Sequence, residues 1–185
     1  MRTLRLLVLF FAAVAWTWNY WQGRSGTDVR LGKAPDLAYT DTRGGFHNSL
    51  AAAGKPALVV LWVTPCPYCT RAMNVLDRLR KRYPEEDLDI VGFYLNPADS
   101  ASVESTARGE GHSIMVAQGQ PTGPFVQALT NGMGFRGPGR DIYVIGKDGK
   151  YEAVDSSDLA VADYVITEKL RAILRDRHGL KERDG

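Results

Sequence analysis

Hydrophobic and polar positions follow two periods along this chain, and the two take turns. Ala57 to Val63, reading ALVVLWV, is a continuous apolar run rich in β-branched residues, which predicts a strand buried on both faces. Apolar residues then recur at Ala72, Met73, Leu76, Leu79 and Tyr83, with Arg78, Arg80, Lys81 and Arg82 between them. That spacing predicts an amphipathic helix with cations in its last turns, stopped by Pro84. Asp89 to Leu95, DIVGFYL, predicts a second buried strand, and Ser113 to Gln118, SIMVAQ, a third. Between them Ser100 to Arg108 predicts a helix ended at Gly109. Ile142–Ile145 and Tyr151–Val154 flank Gly146-Lys147-Asp148-Gly149, a strong hairpin signal. Leu159, Ala162, Ile166, Leu170 and Ile173 form the apolar stripe of a closing helix over Asp158–Arg175, with Ser157 as its N-cap. Weaker signals place a short strand over Pro35–Tyr39, a short helix over Asn48–Ala53, and another opened by Pro124 and running through Phe125, Val126 and Leu129. Strands alternating with helices predict an α/β domain.

The first residues depart from both periods. Arg2 and Arg5 precede a continuous apolar run from Leu6 to Ala15, and Trp16, Trp18, Tyr20 and Trp21 follow within six residues. Leu4 to Trp21 is 18 residues, about 27 Å of helix at about 1.5 Å per residue, near the roughly 30 Å of a bilayer's hydrocarbon. Two readings meet here. One is a cleaved signal peptide with Ala13-Val14-Ala15 as the small-residue site. The other, which we prefer, is a retained anchor with its aromatic cluster at the far interface. A cluster of tryptophans just past a cleavage site would stand exposed in a released protein. Arg2 and Arg5 argue for an N-terminus inside the cell, against a weaker pull from Arg24, Arg30 and Lys33. The expected organisation is 1–21 as signal anchor or signal peptide, 22–30 as linker, 31–178 as the domain and 179–185 as a polar tail. Either export reading puts the domain on the extracytoplasmic, periplasmic side of the inner (cytoplasmic) membrane.

Composition narrows the chemistry. Of the 185 residues 44% are apolar and 24% charged, with a net charge of +2, which does not suggest a nucleic-acid partner. The two cysteines of the chain are Cys66 and Cys69, in Thr64-Pro65-Cys66-Pro67-Tyr68-Cys69. Two cysteines alone cannot make a four-ligand zinc site. His47, His112 and His178 stand singly, without ligand spacing, so no metal or other cofactor is expected. A disulfide closing so short a loop would constrain little of the unfolded chain. A redox-active pair is the reading that remains.

The position of the pair supports it. Cys66 falls where a buried strand ends and a helix begins, where unpaired N–H groups and the helix dipole favour an anion. A thiol there has its pKa lowered, and the thiolate is the nucleophile. Cys69, about one turn on, can attack the mixed disulfide formed at Cys66 and release the product. Cys66 is therefore expected to attack and Cys69 to resolve. Pro67 suits a first helical turn. Tyr68 could offer an aromatic face to a partner chain or simply be solvated, and Arg71 reads as a solvated surface cation.

A buried strand ending in Trp followed by Cys-x-x-Cys on a helix resembles the thioredoxin superfamily, and more specifically the membrane-anchored thiol-disulfide oxidoreductases of the TlpA/ResA/CcmG type. The resemblance rests on Gly32-Lys33-Ala34-Pro35-Asp36-Leu37, on Gly54-Lys55-Pro56 followed by ALVVLWVTPCPYC, on the helix and strand of Ser100–Gln118, and on Gly146-Lys147-Asp148-Gly149. Cys-Pro-Tyr-Cys by itself is more like glutaredoxins. The resemblance implies a central mixed β-sheet flanked by helices, with an extra helix-strand insertion. It also implies a cis-proline packed against the cysteines, for which Gly137-Pro138 is the natural match. Counting back from Gly149 without a gap puts Arg140 at that place instead. A client's extended chain would then pair near Gly137, Pro138, Pro67 and Tyr68. Pro65 stands before Cys66 where the family usually has a bulky residue, and Ala57–Val63 lacks the buried acid common in thioredoxins. Asp36 and Asp141 are too weak as replacements.

The function implied is an extracytoplasmic enzyme that reduces disulfides in client proteins, apocytochrome c among the candidates, and is re-reduced by a membrane electron donor. A disulfide-forming oxidant on the same fold, and a copper(I) carrier recruiting Met133 or His112, are the alternatives. A thioredoxin-like interaction module without turnover is argued against by the Cys-x-x-Cys.

Overall fold

The computed structural model describes residues 29–34, 38–47, 54–118, 127, 131 and 134–183. In chain order these hold β1 (Val29–Lys33), β2 (Tyr39–Thr40), β3 (Phe46–His47), β4 (Ala57–Trp62), α1 (Pro67–Arg82), β5 (Asp89–Tyr94), α2 (Ser100–Gly109), β6 (Met115–Gln118), β7 (Asp141–Ile145), β8 (Lys150–Asp155) and α3 (Asp163–His178). Six strands make one mixed sheet in the order β1-β8-β7-β4-β5-β6, and β2 and β3 pair separately. β4 lies parallel to β5 and antiparallel to β7, so the run ALVVLW has neighbours on both edges. All six of its residues are buried.

Alternation along β4 feeds two cores. Leu58, Val60 and Trp62 face α1 and α3, meeting Met73, Leu76 and Leu79 from one and Ile166 and Leu170 from the other. Ala57, Val59 and Leu61 face the opposite side, with Val91, Phe93, Tyr143 and Tyr39. Trp62 is the largest fully buried side chain. Gly92 on β5 makes room for it: a Cβ there would come within 3.0 Å of the Trp62 Nε1 and 3.2 Å of the Met73 Sδ. The glycine inside DIVGFYL is thus the space that the tryptophan beside the cysteines occupies.

The ends of the fold differ from expectation in three places. β1 reaches back to Val29, inside the segment read as linker, because its partner is β8 from the far end of the chain, with Val29 opposite Val154. The closing helix starts at Asp163, with Ala162 and not Ser157 at its N-cap. The Ser157 hydroxyl is taken by Asp155 (2.7 Å), and residues 158–161 form a turn in which Asp158 accepts from the Ala160 N–H (2.9 Å). Residues 179–183, read as polar tail, are docked. Leu180 packs on the core, the Arg183 N–H donates to the Arg82 carbonyl (2.8 Å), and Glu182 pairs with Arg82 (3.0 Å) and Arg171. The predicted helices over Asn48–Ala53 and from Pro124, and most of Pro35–Tyr39, lie outside the described residues.

Arg71 explains the turn before α3. It was expected to be solvated, but it is only 8% exposed. Its Nε donates to Asp163 (2.9 Å), and its two terminal nitrogens donate to the carbonyls of Asp158 and Val161. One guanidinium on α1 thereby fixes the start of α3, which a helical pattern alone does not reveal. Arg71→Met will leave those acceptors without their donor and cost about 3 kcal/mol. Urea unfolding checks this, and a midpoint equal to wild type would show that the guanidinium is dispensable.

No described helix is long and apolar enough to cross a membrane, and the predicted anchor, residues 1–21, lies outside the described residues.

Candidate active site

Both cysteines sit at the C-terminal end of β4, where the chain turns into α1. Cys66 is the helix N-cap, with extended backbone (φ −159, ψ 110), and Pro67 follows as the first helical residue. This arrangement uses the proline's missing N–H where none is needed. The Cys66 sulfur takes the part that a Ser or Asp oxygen plays at most N-caps: it accepts the Cys69 backbone N–H at 3.2 Å. No acidic residue lies in the first turn to offset the positive helix end.

The two sulfurs are joined as a disulfide, with the Cα atoms 5.2 Å apart. Their exposures differ. Cys69 is 1% exposed and belongs to the core, while Cys66 is half-buried at the surface. A partner sulfur can approach Cys66 but not Cys69.

The loop 137–140 closes over the pair. Gly139 donates to the Leu61 carbonyl (2.7 Å), continuing the antiparallel pairing of β4 beyond β7. Its own carbonyl accepts the Ser156 hydroxyl (2.8 Å), and the Arg140 carbonyl accepts the Ser156 N–H (2.9 Å). These bonds press Gly139 against α1: a Cβ on it would lie 2.4 Å from the Cys69 N and 2.6 Å from the Tyr68 carbonyl carbon. The Pro138 carbonyl oxygen is 3.9 Å from the Cys66 sulfur. The structure places the Pro138 carbonyl beside Cys66, with Pro67 and Tyr68 in the first turn of α1 between the two cysteines and Gly137 one residue before Pro138 in the loop. The cis bond expected at Pro138 is not there. Gly137–Pro138 is trans, and the one cis bond among the described residues is Thr64–Pro65. Glycines at φ 126 (Gly137) and φ 66 (Gly139) turn the chain on either side of Pro138.

Arg140, the place that a gapless count from Gly149 gives, frames the site, as do Gly139, Glu110 and Asn96, which the sequence did not single out. Gly139 follows from GPGR only once its bond to the Leu61 carbonyl is known. The Arg140 guanidinium lies over the Tyr68 ring, 4.8 Å from its centre. Glu110 accepts the Thr64 hydroxyl (2.6 Å), two residues before Cys66, while Asn96 donates to the Thr64 carbonyl (3.0 Å). Behind them His112 is buried, its Nδ1 2.8 Å from Asp77 on α1 and its Nε2 3.6 Å from Glu110 at the end of α2. The insertion thus braces the loop ahead of Cys66. His112, considered as a copper ligand, is anchored through its Nδ1 on Asp77, while its Nε2 is buried without a hydrogen-bond partner among the described residues. Met133, the other ligand considered, and Asp36 lie outside the described residues. Asp141 is buried and paired with Arg136 (2.5 Å).

Burial pushes the Asp77 carboxyl up, but hydrogen bonds from His112 and from the Ser113 N–H and hydroxyl outweigh it and hold it below the ordinary carboxylate value. A depressed carboxylate contributes stability that is present above its unfolded pKa and lost as pH falls through its folded pKa. Asp77→Asn will therefore cost about 1–3 kcal/mol at pH 7. The gap from wild type will narrow as pH drops below about 4. Urea unfolding at both pH values reads the difference, and a gap that stays constant would refute the role given to Asp77.

Comparison with known proteins agrees with this geometry. The family model described as Redoxin matches residues 31–162. The chain is 34% identical over 94 residues to the thiol-disulfide oxidoreductase ResA of Geobacillus kaustophilus, covering 49% of this chain and 52% of that one. It is 25% identical over 111 residues to the thioredoxin-like protein YneN of Bacillus subtilis, covering 58% and 65%. The matched region thus spans about half to two thirds of these relatives' length. In fold it is similar to a secreted disulfide oxidoreductase of Mycobacterium tuberculosis homologous to E. coli DsbE, with TM-score 0.57, 17% identity, and 74% and 96% of the two chains covered. The chain belongs to the Redoxin family, and its mixed sheet flanked by helices is a thioredoxin-like fold.

Proposed function

We propose that this chain is a thiol-disulfide oxidoreductase that reduces disulfides in client proteins, held on the extracytoplasmic face of the membrane by residues 1–21. The observation that carries the reading is the asymmetry of the pair: Cys66 is reachable and caps a helix, whereas Cys69 is sealed beneath it.

The chemistry follows from that asymmetry. In the reduced protein the Cys66 thiolate is stabilised by the Cys69 N–H and the helix end. It attacks one sulfur of a client disulfide, forming a mixed disulfide and releasing the other client sulfur as a thiolate. Cys69 then gives up its proton and attacks the Cys66 sulfur. The Cys66–client bond breaks, the second client thiolate leaves, and the Cys66–Cys69 disulfide remains. Two electrons have passed to the client, so a dithiol donor must restore them. On the anchored reading that donor is a membrane protein. Apocytochrome c is one client class that the family resemblance supports.

The direction of transfer is tested by the reduction potential of the Cys66–Cys69 couple, measured in dithiothreitol and glutathione buffers. A value near thioredoxin's, about −270 mV, is expected. A value near about −120 mV, the strongly oxidising end of that scale, would overturn the reductase reading in favour of a disulfide donor.

A further inference from the structure

We propose that Arg140, positioned over the Tyr68 ring, selects client segments that carry a carboxylate beside the cysteine that Cys66 attacks. The proposal rests on the oxidoreductase reading above and adds a substrate class to it.

Arg140 is placed firmly and left unspent. Its N–H donates to the Gly137 carbonyl (3.3 Å) and its carbonyl accepts the Ser156 N–H (2.9 Å). The preceding Gly139 is wedged against Cys69. The backbone of Arg140 therefore cannot drift relative to the disulfide. Its side chain is exposed, and the Tyr68 ring, 4.8 Å from the guanidinium carbon, holds it in one direction. Among the described residues no acid pairs with it. Asp141, next to it in sequence, and Asp155 at the end of β8 both belong to Arg136, at 2.5 and 2.9 Å.

The rest of the rim makes this cation matter. Pro65 and Pro67 are exposed and uncharged on either side of Cys66. Glu110, across the loop, is tied to Thr64 and turned toward His112. A client strand laid along Pro138, whose carbonyl oxygen is 3.9 Å from the Cys66 sulfur, passes next to the Arg140 guanidinium. A guanidinium held over an aromatic face keeps its N–H groups free for a carboxylate to meet with two parallel hydrogen bonds. A lysine on the client at that place would meet like charge instead.

The test uses two short peptides, each with one intramolecular disulfide, identical except for Asp or Lys flanking each cysteine. The reduced full chain in detergent is mixed with each, and the second-order rate of its oxidation is measured. The wild-type rate ratio, Asp peptide over Lys peptide, is expected to be about tenfold or more. It should fall to about one in Arg140→Gln and invert in Arg140→Glu. Arg140→Lys, which keeps the charge but loses the planar fork, should keep only part of the ratio. Equal wild-type rates on the two peptides, or a full ratio retained by Arg140→Gln, would overturn the selectivity and leave the oxidoreductase reading standing. Failure of wild type to reduce either peptide, or uncharged hydroxyethyl disulfide, would overturn both.

Discussion

Gly139→Ala will destabilise the protein by about 2–5 kcal/mol and slow client reduction by about a hundredfold in whatever still folds. Two costs add. Gly139 sits at φ 66, in the left-handed region, where a side chain costs about 1–2 kcal/mol. Its new Cβ would also fall 2.4 Å from the Cys69 N and 2.6 Å from the Cys69 Cα, and backbone cannot rotate aside as a side chain can. Overpacking of that kind costs about 1–3 kcal/mol. Relief requires the 137–140 loop to lift from α1, which breaks the Gly139–Leu61 bond and moves Pro138 away from Cys66. Misplacement of a binding edge by about 1 Å is worth about a hundredfold in rate. Gly137→Ala is the comparison. It too has positive φ, but its Cβ would meet only the flexible Arg140 side chain, at 3.4 Å. Backbone strain alone should cost it about 1–3 kcal/mol. Equal losses for the two variants in urea unfolding would contradict the wedge.

Cys66→Ser will abolish disulfide reduction, by at least about a thousandfold, or about 4 kcal/mol of barrier. The hydroxyl can still cap α1, so the fold should survive; an oxygen at an N-cap accepts the same N–H that the sulfur does. It cannot form a mixed disulfide. Cys69 cannot substitute, because it is sealed in the core with Leu76 and Trp62. Cys69→Ser should differ in kind. Its Cys66 still attacks, but the intermediate has no internal thiol to resolve it.

Much of this site was legible in the sequence, and the reasons are local. ALVVLWV followed by Cys-Pro-Tyr-Cys placed the pair on a strand-to-helix junction through hydrophobic period alone, and the structure puts Cys66 at the N-cap. Gly146–Gly149 set the β7–β8 hairpin because turn chemistry lies within four residues. What escaped depends on contacts distant in sequence. Arg71 looks like any surface cation until the turn before α3, about ninety positions on, delivers two carbonyls to it and the first residue of α3 a carboxylate. Glu110 carries no sequence signal and His112 stands as a lone histidine or copper-ligand candidate; only the fold brings them behind Thr64. Ser157 has an N-cap's chemistry, yet Asp155 competes for its hydroxyl and Arg71 holds the next residues in a turn. Pro138 lies beside Cys66, but its peptide bond is trans and not the cis bond expected from the resemblance, and glycines at positive φ flank it.

The most direct measurement is to trap the intermediate. Reduced Cys69→Ser is mixed with a disulfide-containing client protein such as insulin, quenched with acid, and the covalent adduct mapped by mass spectrometry of its peptides. The account predicts a stoichiometric mixed disulfide through Cys66, and none from Cys66→Ser under the same conditions. An adduct formed through Cys69 in the Cys66→Ser variant, or no adduct in either, would contradict the assignment of Cys66 as the attacking thiol.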